Sequence, residues 1–128
     1  MLLLSKGLLT QMDIEKNKAL VQAYLELWNT GDETKVEDIL SADFVDHAHP
    51  EVKGIDQFKI TLKKTKEFFP DFFISPVLVC AEEDHVTVLG NTKRTVQGEL
   101  KVAEILWLFR ISSGKIAEWK TGIVSSEK

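Results

Sequence analysis

Several kinds of chemistry are excluded by what this chain lacks. Its 128 residues contain a single cysteine, so no internal disulfide can form. Cys80 follows the apolar run Val77, Leu78, Val79, a setting for a buried structural thiol rather than a nucleophile, and such usage points to a reducing, cytoplasmic compartment. Sixteen Lys and Arg are dispersed among 20 Asp and Glu, for a net charge of −4. No basic stripe is left for nucleic acid or an anionic membrane surface. The opening "MLLLSKGLLT" has an apolar run of only four residues, no basic leader and no small-residue cleavage site. It reads neither as a membrane span nor as a secretion signal. A glycine-rich phosphate loop, a nucleophile elbow and a Cys–His pairing are also missing from the sequence.

What remains is an ordinary soluble composition, 44% hydrophobic and 28% charged, in a length that suits one domain. Asp13 is placed to cap a helix reaching about Asn29, with Ile14, Val21, Leu25 and Trp28 repeating at three-to-four spacing. Gly31 suits its left-handed stop. "ETKVEDIL" predicts a short second helix, and Phe44 to Asp46 an extended piece. "GIDQFKITLKKTKEFF" predicts a third helix with Ile55, Phe58, Leu62 and Phe69 on its apolar side, stopped by Pro70. Beyond Pro70 the period changes to two, predicting strands over 72–81, 86–96, 101–111 and 116–124. Links as short as "EEDH", "QGEL" and "SSGK" require antiparallel pairing. Helices followed by an antiparallel sheet make an α+β protein with three N-terminal helices on one face of the sheet.

One predicted strand, "VAEILWLFRI", is apolar on both of its alternating sets. A sheet covered on one side alternates apolar with polar, so this strand needs a second cover. A homodimer packed through an outer face of Ile105, Trp107 and Phe109 is the expected solution.

The most conspicuous polar run is "FVDHAHP", residues 44–50, which holds two of the three histidines. A metal site, an acid–base site and an inert polar loop compete for it. His47 and His49 point the same way in an extended segment, as ligands could. A third ligand is not at hand, because His85 falls on a distant predicted turn. No metal and no cofactor is therefore expected. His49, beside Pro50, suits a solvated loop, and Asp46 alternates away from His47.

"NKALVQAYLELWNTGDETKVEDILSADFVDHAHPEVKGIDQFK", "FFPDFFISPVLVCAEEDHVTVLG" and "FRISSGKIAEWK" together resemble the SnoaL-like polyketide cyclases of the nuclear-transport-factor-two-like superfamily. The likeness covers most of the chain after Met12, making 13–128 one domain and 1–12 an extension of uncertain role. It implies a cone-shaped fold, a curved antiparallel sheet packed against helices around an apolar pocket for a small hydrophobic, ring-bearing molecule. In such cyclases the acid–base aspartate follows the last-strand Trp by four residues. That Trp is Trp119, and the fourth residue on is Ile123. An Arg with an Asp two residues later, which the superfamily's epoxide hydrolases use, is also missing: Val96 follows Arg94 and Ser112 follows Arg110.

Under the family geometry His47 looks into the pocket, either as an acid–base group or as a histidine that merely bonds backbone. Continuing the last hairpin from Ile111 opposite Ile116 sets Glu104 opposite Ile123, as a possible second catalytic group. The preceding hairpin sets Lys93 opposite Glu104, and a cross-strand ion pair accounts for both residues at least as well. Trp119 is the family's pocket aromatic, and Trp28 ends the first helix's apolar stripe with an edge toward the cavity; both are candidate substrate contacts. The expected function is cofactor-independent proton transfer of isomerase, cyclase or dehydratase type. The alternative is a non-catalytic module that binds a ligand or another protein.

Overall fold

A computed structural model describes the backbone of residues 2–126 and the side chains of 13–125. Helix α1 spans Leu2–Thr30, so Asp13 lies inside the helix and is not its cap. Nothing before Asp13 breaks a helix: the segment has no proline and one glycine. The stop is as predicted. Gly31 takes φ 72° and donates its N–H to the Leu27 carbonyl at 2.7 Å, closing the last turn. A single 3-10 turn (Glu33–Lys35), capped by Asp32, leads into α2 (Val36–Ile39). Strand β1 (Leu40–Asp46) and helix α3 (Ile55–Phe68) follow. Strands β2 (Phe73–Glu82), β3 (His85–Val96), β4 (Glu99–Ser112) and β5 (Lys115–Ser126) complete the chain.

The strands form one sheet in the order β1-β5-β4-β3-β2. The last four strands make three sequential antiparallel hairpins, two of them turned by Gln97–Gly98 and Ser113–Gly114, with positive φ at both residues. The fifth strand corrects the four-strand expectation. β1 pairs parallel with β5, so the sheet is mixed. The architecture is otherwise the expected one: three helices against one face of a curved, unclosed α+β sheet.

Which face the helices cover is decided on β4. Ile105, Trp107, Phe109 and Ile111 point inward and are at most 7% exposed, whereas Leu106 and Leu108 point outward and are 44% and 38% exposed. The expected partner surface of Ile105, Trp107 and Phe109 is thus the protein's own core. Both alternating sets are apolar, so periodicity defined the two faces without saying which one the helices would choose. Trp107 also needs an inward neighbour without a side chain. A Cβ on Gly90 would stand 3.2 Å from the Trp107 ring and 2.8 Å from the Ser75 carbonyl oxygen.

Among the described residues no helix is long and apolar enough to cross a membrane.

Candidate functional site: a filled cone and a charged outer face

The interior of the cone is aromatic and closely packed. Trp119, only 2% exposed, stacks on Phe44 with centroids 5.2 Å apart and planes at 16°. Tyr24 lies 5.1 Å from the same ring, Phe58 6.2 Å and Phe109 6.4 Å. Trp119 is therefore part of the core, hemmed in by four rings, and offers no open face to a ring-bearing substrate. Trp28 is half-buried and meets Phe58 and Phe72 edge-on, at 5.4 and 6.1 Å. Each contact continues the core that the stripe of α1 foretold.

Among the described residues, the charged side chain buried against this interior is Asp46. It is 8% exposed, and its Oδ1 accepts the N–H groups of Ala48 (2.9 Å) and His49 (3.2 Å), closing the turn after β1. Tyr24 is its titratable neighbour. Burial pushes the Tyr24 hydroxyl well above the ordinary phenol range; a hydrogen bond with Trp28 opposes the shift and the Asp46 charge adds to it. Alternation did place Asp46 and His47 on opposite faces, but the inward one is Asp46. The available signal was Phe44: two residues from Asp46 and the most core-like residue of the segment, it carries Asp46 inward with it.

His47 is on the outside. Its backbone N–H donates to the Trp119 carbonyl at 3.0 Å, extending the β1–β5 pairing, and its side chain is 44% exposed. Nε2 donates to Glu118 Oε2 at 2.7 Å, and Arg110 Nε donates to Glu118 Oε1 at 2.7 Å. Arg110 first, and His47 second, hold the Glu118 carboxyl down at about 2. The three side chains thus form a chain of charge-assisted hydrogen bonds from the turn after β1 across β5 to β4.

Glu104 is also outside, on the same alternating set of β4 as Leu106, Leu108 and Arg110. Its neighbours are Ser125 on β5 and Asn91 on β3, in place of the expected Ile123 and Lys93. Register shifts between Arg110 and Ile111, and between Glu104 and Ile105, account for the first difference. Ile111 does face Ile116, but the first shift moves Trp119 from Leu108 to Phe109. Ile123 pairs with Ile105 on the inward face and is 72% exposed, so an aliphatic side chain stands where the family likeness expects the aspartate.

His49 pairs loosely with Glu51 at 3.4 Å, both largely exposed. Among the described residues no three His, Cys, Asp or Glu side chains converge as metal ligands would. Cys80 is exposed on the edge strand β2, against the expectation of a buried thiol, because it falls on the outward set of the strand. Surface clefts lie elsewhere among the described residues. One, of about 640 Å³, lies between α1 and the β2–β3 and β4–β5 turns (Asp13, Asn17, Glu83, Ser113). Another, of about 500 Å³, lies beside α2 and the start of α3 (Glu37, Asp56). Neither is lined by His47, Glu104, Trp28 or Trp119.

The family model of the SnoaL-like domain matches residues 21–119, from the buried face of α1 to the core tryptophan. The chain belongs to the SnoaL-like domain family. Solved structures agree at the level of the fold. A polyketide cyclase candidate from Bacillus cereus ATCC 10987 superposes with a TM-score of 0.75 at 18% identity, over 85% of this chain and 74% of that one. TsrD from Streptomyces laurentii gives 0.74 at 15% identity, over 86% and 89%. IdmH of Streptomyces antibioticus, whose name ascribes a polyketide cyclase role to it, gives 0.70 at 19% identity, over 84% and 91%. Among curated proteins nothing matches the chain. Within the SnoaL-like frame, this member has an aromatic cone interior and carries its histidine–glutamate–arginine chain on the opposite face of the sheet.

Proposed function

We propose that this SnoaL-like domain is a protein-association module that works through the outer face of its sheet and has no acid–base chemistry in the cone. The observation that carries this reading is the filled interior: Tyr24, Phe44, Phe58, Phe109 and Trp119 occupy the space a substrate would need. Support comes from the outer face, where Leu78, Leu106 and Leu108 are exposed beside the charged residues Arg110, Glu118 and His47. An apolar centre with a polar, hydrogen-bonded rim is the make-up of an association surface. The expected partner is another protein chain, with a homodimer as the simplest case.

Sedimentation velocity tests the reading. The wild-type chain is expected to self-associate, and the double variant Leu106→Asp/Leu108→Asp to sediment as a monomer with its fold intact. A wild type that stays monomeric at every accessible concentration overturns it.

Asp46 favours a second reading, proton transfer on a small hydrophobic ring-bearing substrate. Among the described residues it is the buried carboxylate, and its charge acts on Tyr24. This reading requires the aromatic cluster to open for the substrate. Tryptophan fluorescence during a screen of ring ketones tests it: binding should quench Trp119, and Asp46→Asn should abolish turnover that His47→Gln leaves intact.

A further inference from the structure

Cations that lie far apart in the sequence meet at one end of the fold. Lys63 and Lys64 are exposed near the C-terminal end of α3, and Lys93 and Arg94 near the end of β3. The loop after α3 joins them. Arg94 lies over the Phe69 ring at 4.9 Å and Lys93 over the Phe73 ring at 5.6 Å. Asp71 of the same loop accepts the Thr95 N–H at 3.1 Å and the Thr95 hydroxyl at 2.6 Å. This end also exposes three large apolar side chains: Phe68 at 75%, Leu100, which faces Thr95 on β4, at 58%, and Phe73 at 42%.

The charge at this end is positive. Lys63, Lys64, Lys66, Lys93, Arg94 and Lys101 stand against Glu67, Asp71 and Glu99. Glu99 is paired with Lys101 at 2.9 Å, whereas Lys63, Lys64, Lys93 and Arg94 form no ion pair among the described residues. The opposite end has the opposite sign. The β2–β3 turn reads Glu82, Glu83, Asp84, and Asp13 of α1 lines the same cleft as Glu83 and Asp84, opposed there by Lys16. β3 connects the two ends, which are about 30 Å apart at the rise of an extended strand. A net charge of −4 therefore coexists with a charge polarity that turns one end of the molecule toward an anionic surface.

We propose that this end docks peripherally on an anionic lipid bilayer. Phe68, Phe73 and Leu100 enter the interface, and Lys63, Lys64, Lys93 and Arg94 reach the headgroups. The sequence shows no basic stripe because the cations come from α3 and β3, and only folding gathers them. The apolar tips belong to three separate elements, α3, β2 and β4. A fluid interface accepts such protruding side chains without a matching pocket. Nucleic acid fits less well, because a cation already stands over the Phe69 and Phe73 rings, where a stacked base would lie. The docking end shares no residue with Leu106, Leu108, Arg110 and Glu118, so this proposal and the association reading stand or fall separately.

Vesicle flotation with the full chain tests the docking. Vesicles of phosphatidylcholine with about one-third phosphatidylserine are expected to carry the wild type upward, pure phosphatidylcholine vesicles are not, and raised salt should release it. At about fivefold per cation, Lys63→Gln/Lys64→Gln should weaken binding roughly 25-fold. Phe68→Ser should weaken it about tenfold and leave its salt dependence unchanged. Both variants alter exposed side chains, and circular dichroism checks that they are folded. Lys16→Gln, at the acidic end, should bind within about twofold of wild type. No flotation with the anionic vesicles, or equal binding to both kinds of vesicle, overturns the proposal. So does tighter binding to a single-stranded oligonucleotide or to polyglutamate than to the vesicles, with the same loss in the lysine variant, which would assign this end to a nucleic acid or an acidic protein.

Discussion

The two faces of the sheet hold nearly the same kinds of residue and use them in opposite ways. On β4 the inward set is Ile105, Trp107, Phe109 and Ile111, and the outward set contains Leu106, Leu108 and Arg110. Inside, rings meet rings at 5–6 Å and exposure is near zero, so each side chain is needed for packing. Outside, the leucines remain partly wet and the polar groups are held by hydrogen bonds that water can also reach. The interior therefore holds the stability, and the exterior is free to meet a partner.

Breaking the interior should produce the largest effect. Phe109→Ala removes a fully buried ring from the cluster around Tyr24 and Trp119 and is expected to cost about 3–5 kcal/mol in denaturant titrations. A loss below about 1 kcal/mol would mean the cluster is loosely packed, and would favour a cone that opens to substrate. Asp46→Ala leaves the Ala48 and His49 N–H groups without their side-chain acceptor and should cost about 1–3 kcal/mol. Its loss of stability, set beside a negligible one for His47→Gln, would confirm which member of the "DH" pair the fold depends on.

The outer face should give smaller numbers with a different signature. Glu118 is held at about 2 from an ordinary 4.5, so its bonds to Arg110 and His47 add stability that is fully present above 4.5 and lost as pH falls toward 2. Glu118→Gln should therefore lower the melting temperature by about 2–4 °C at pH 7, with the two curves converging near pH 2. A gap that persists at pH 2 would assign the effect to packing. Smallest of all, Leu106→Asp/Leu108→Asp should change monomer stability by no more than about 0.5 kcal/mol per site while removing self-association. If both stability and association collapse together, the contrast between the faces fails.

Much of the fold was legible because it depends on local rules. The period switch at Pro70, the glycine at the end of α1 and the short polar links each identify an element or a turn without reference to the rest of the chain. The site was less legible, for two reasons seen in particular residues. His47 and Asp46 alternate, but the direction of that alternation depended on Phe44 joining the core. Glu104 was placed by counting back from the last turn, and two register shifts that leave no mark in composition moved Ile123 away from it. β1 was seen only as an extended fragment, since its partner β5 lies about seventy residues away in sequence.

By itself the sequence determined the class, the helices and hairpins, and the family, because apolar period, turn chemistry and motif order are written in neighbouring residues. Tertiary structure alone decided which apolar face of β4 is core, that the cone is filled, and that the histidine of "FVDH" faces outward. Those outcomes depend on competition between distant side chains for the same buried volume. Such competition is resolved only when helices and sheet pack together.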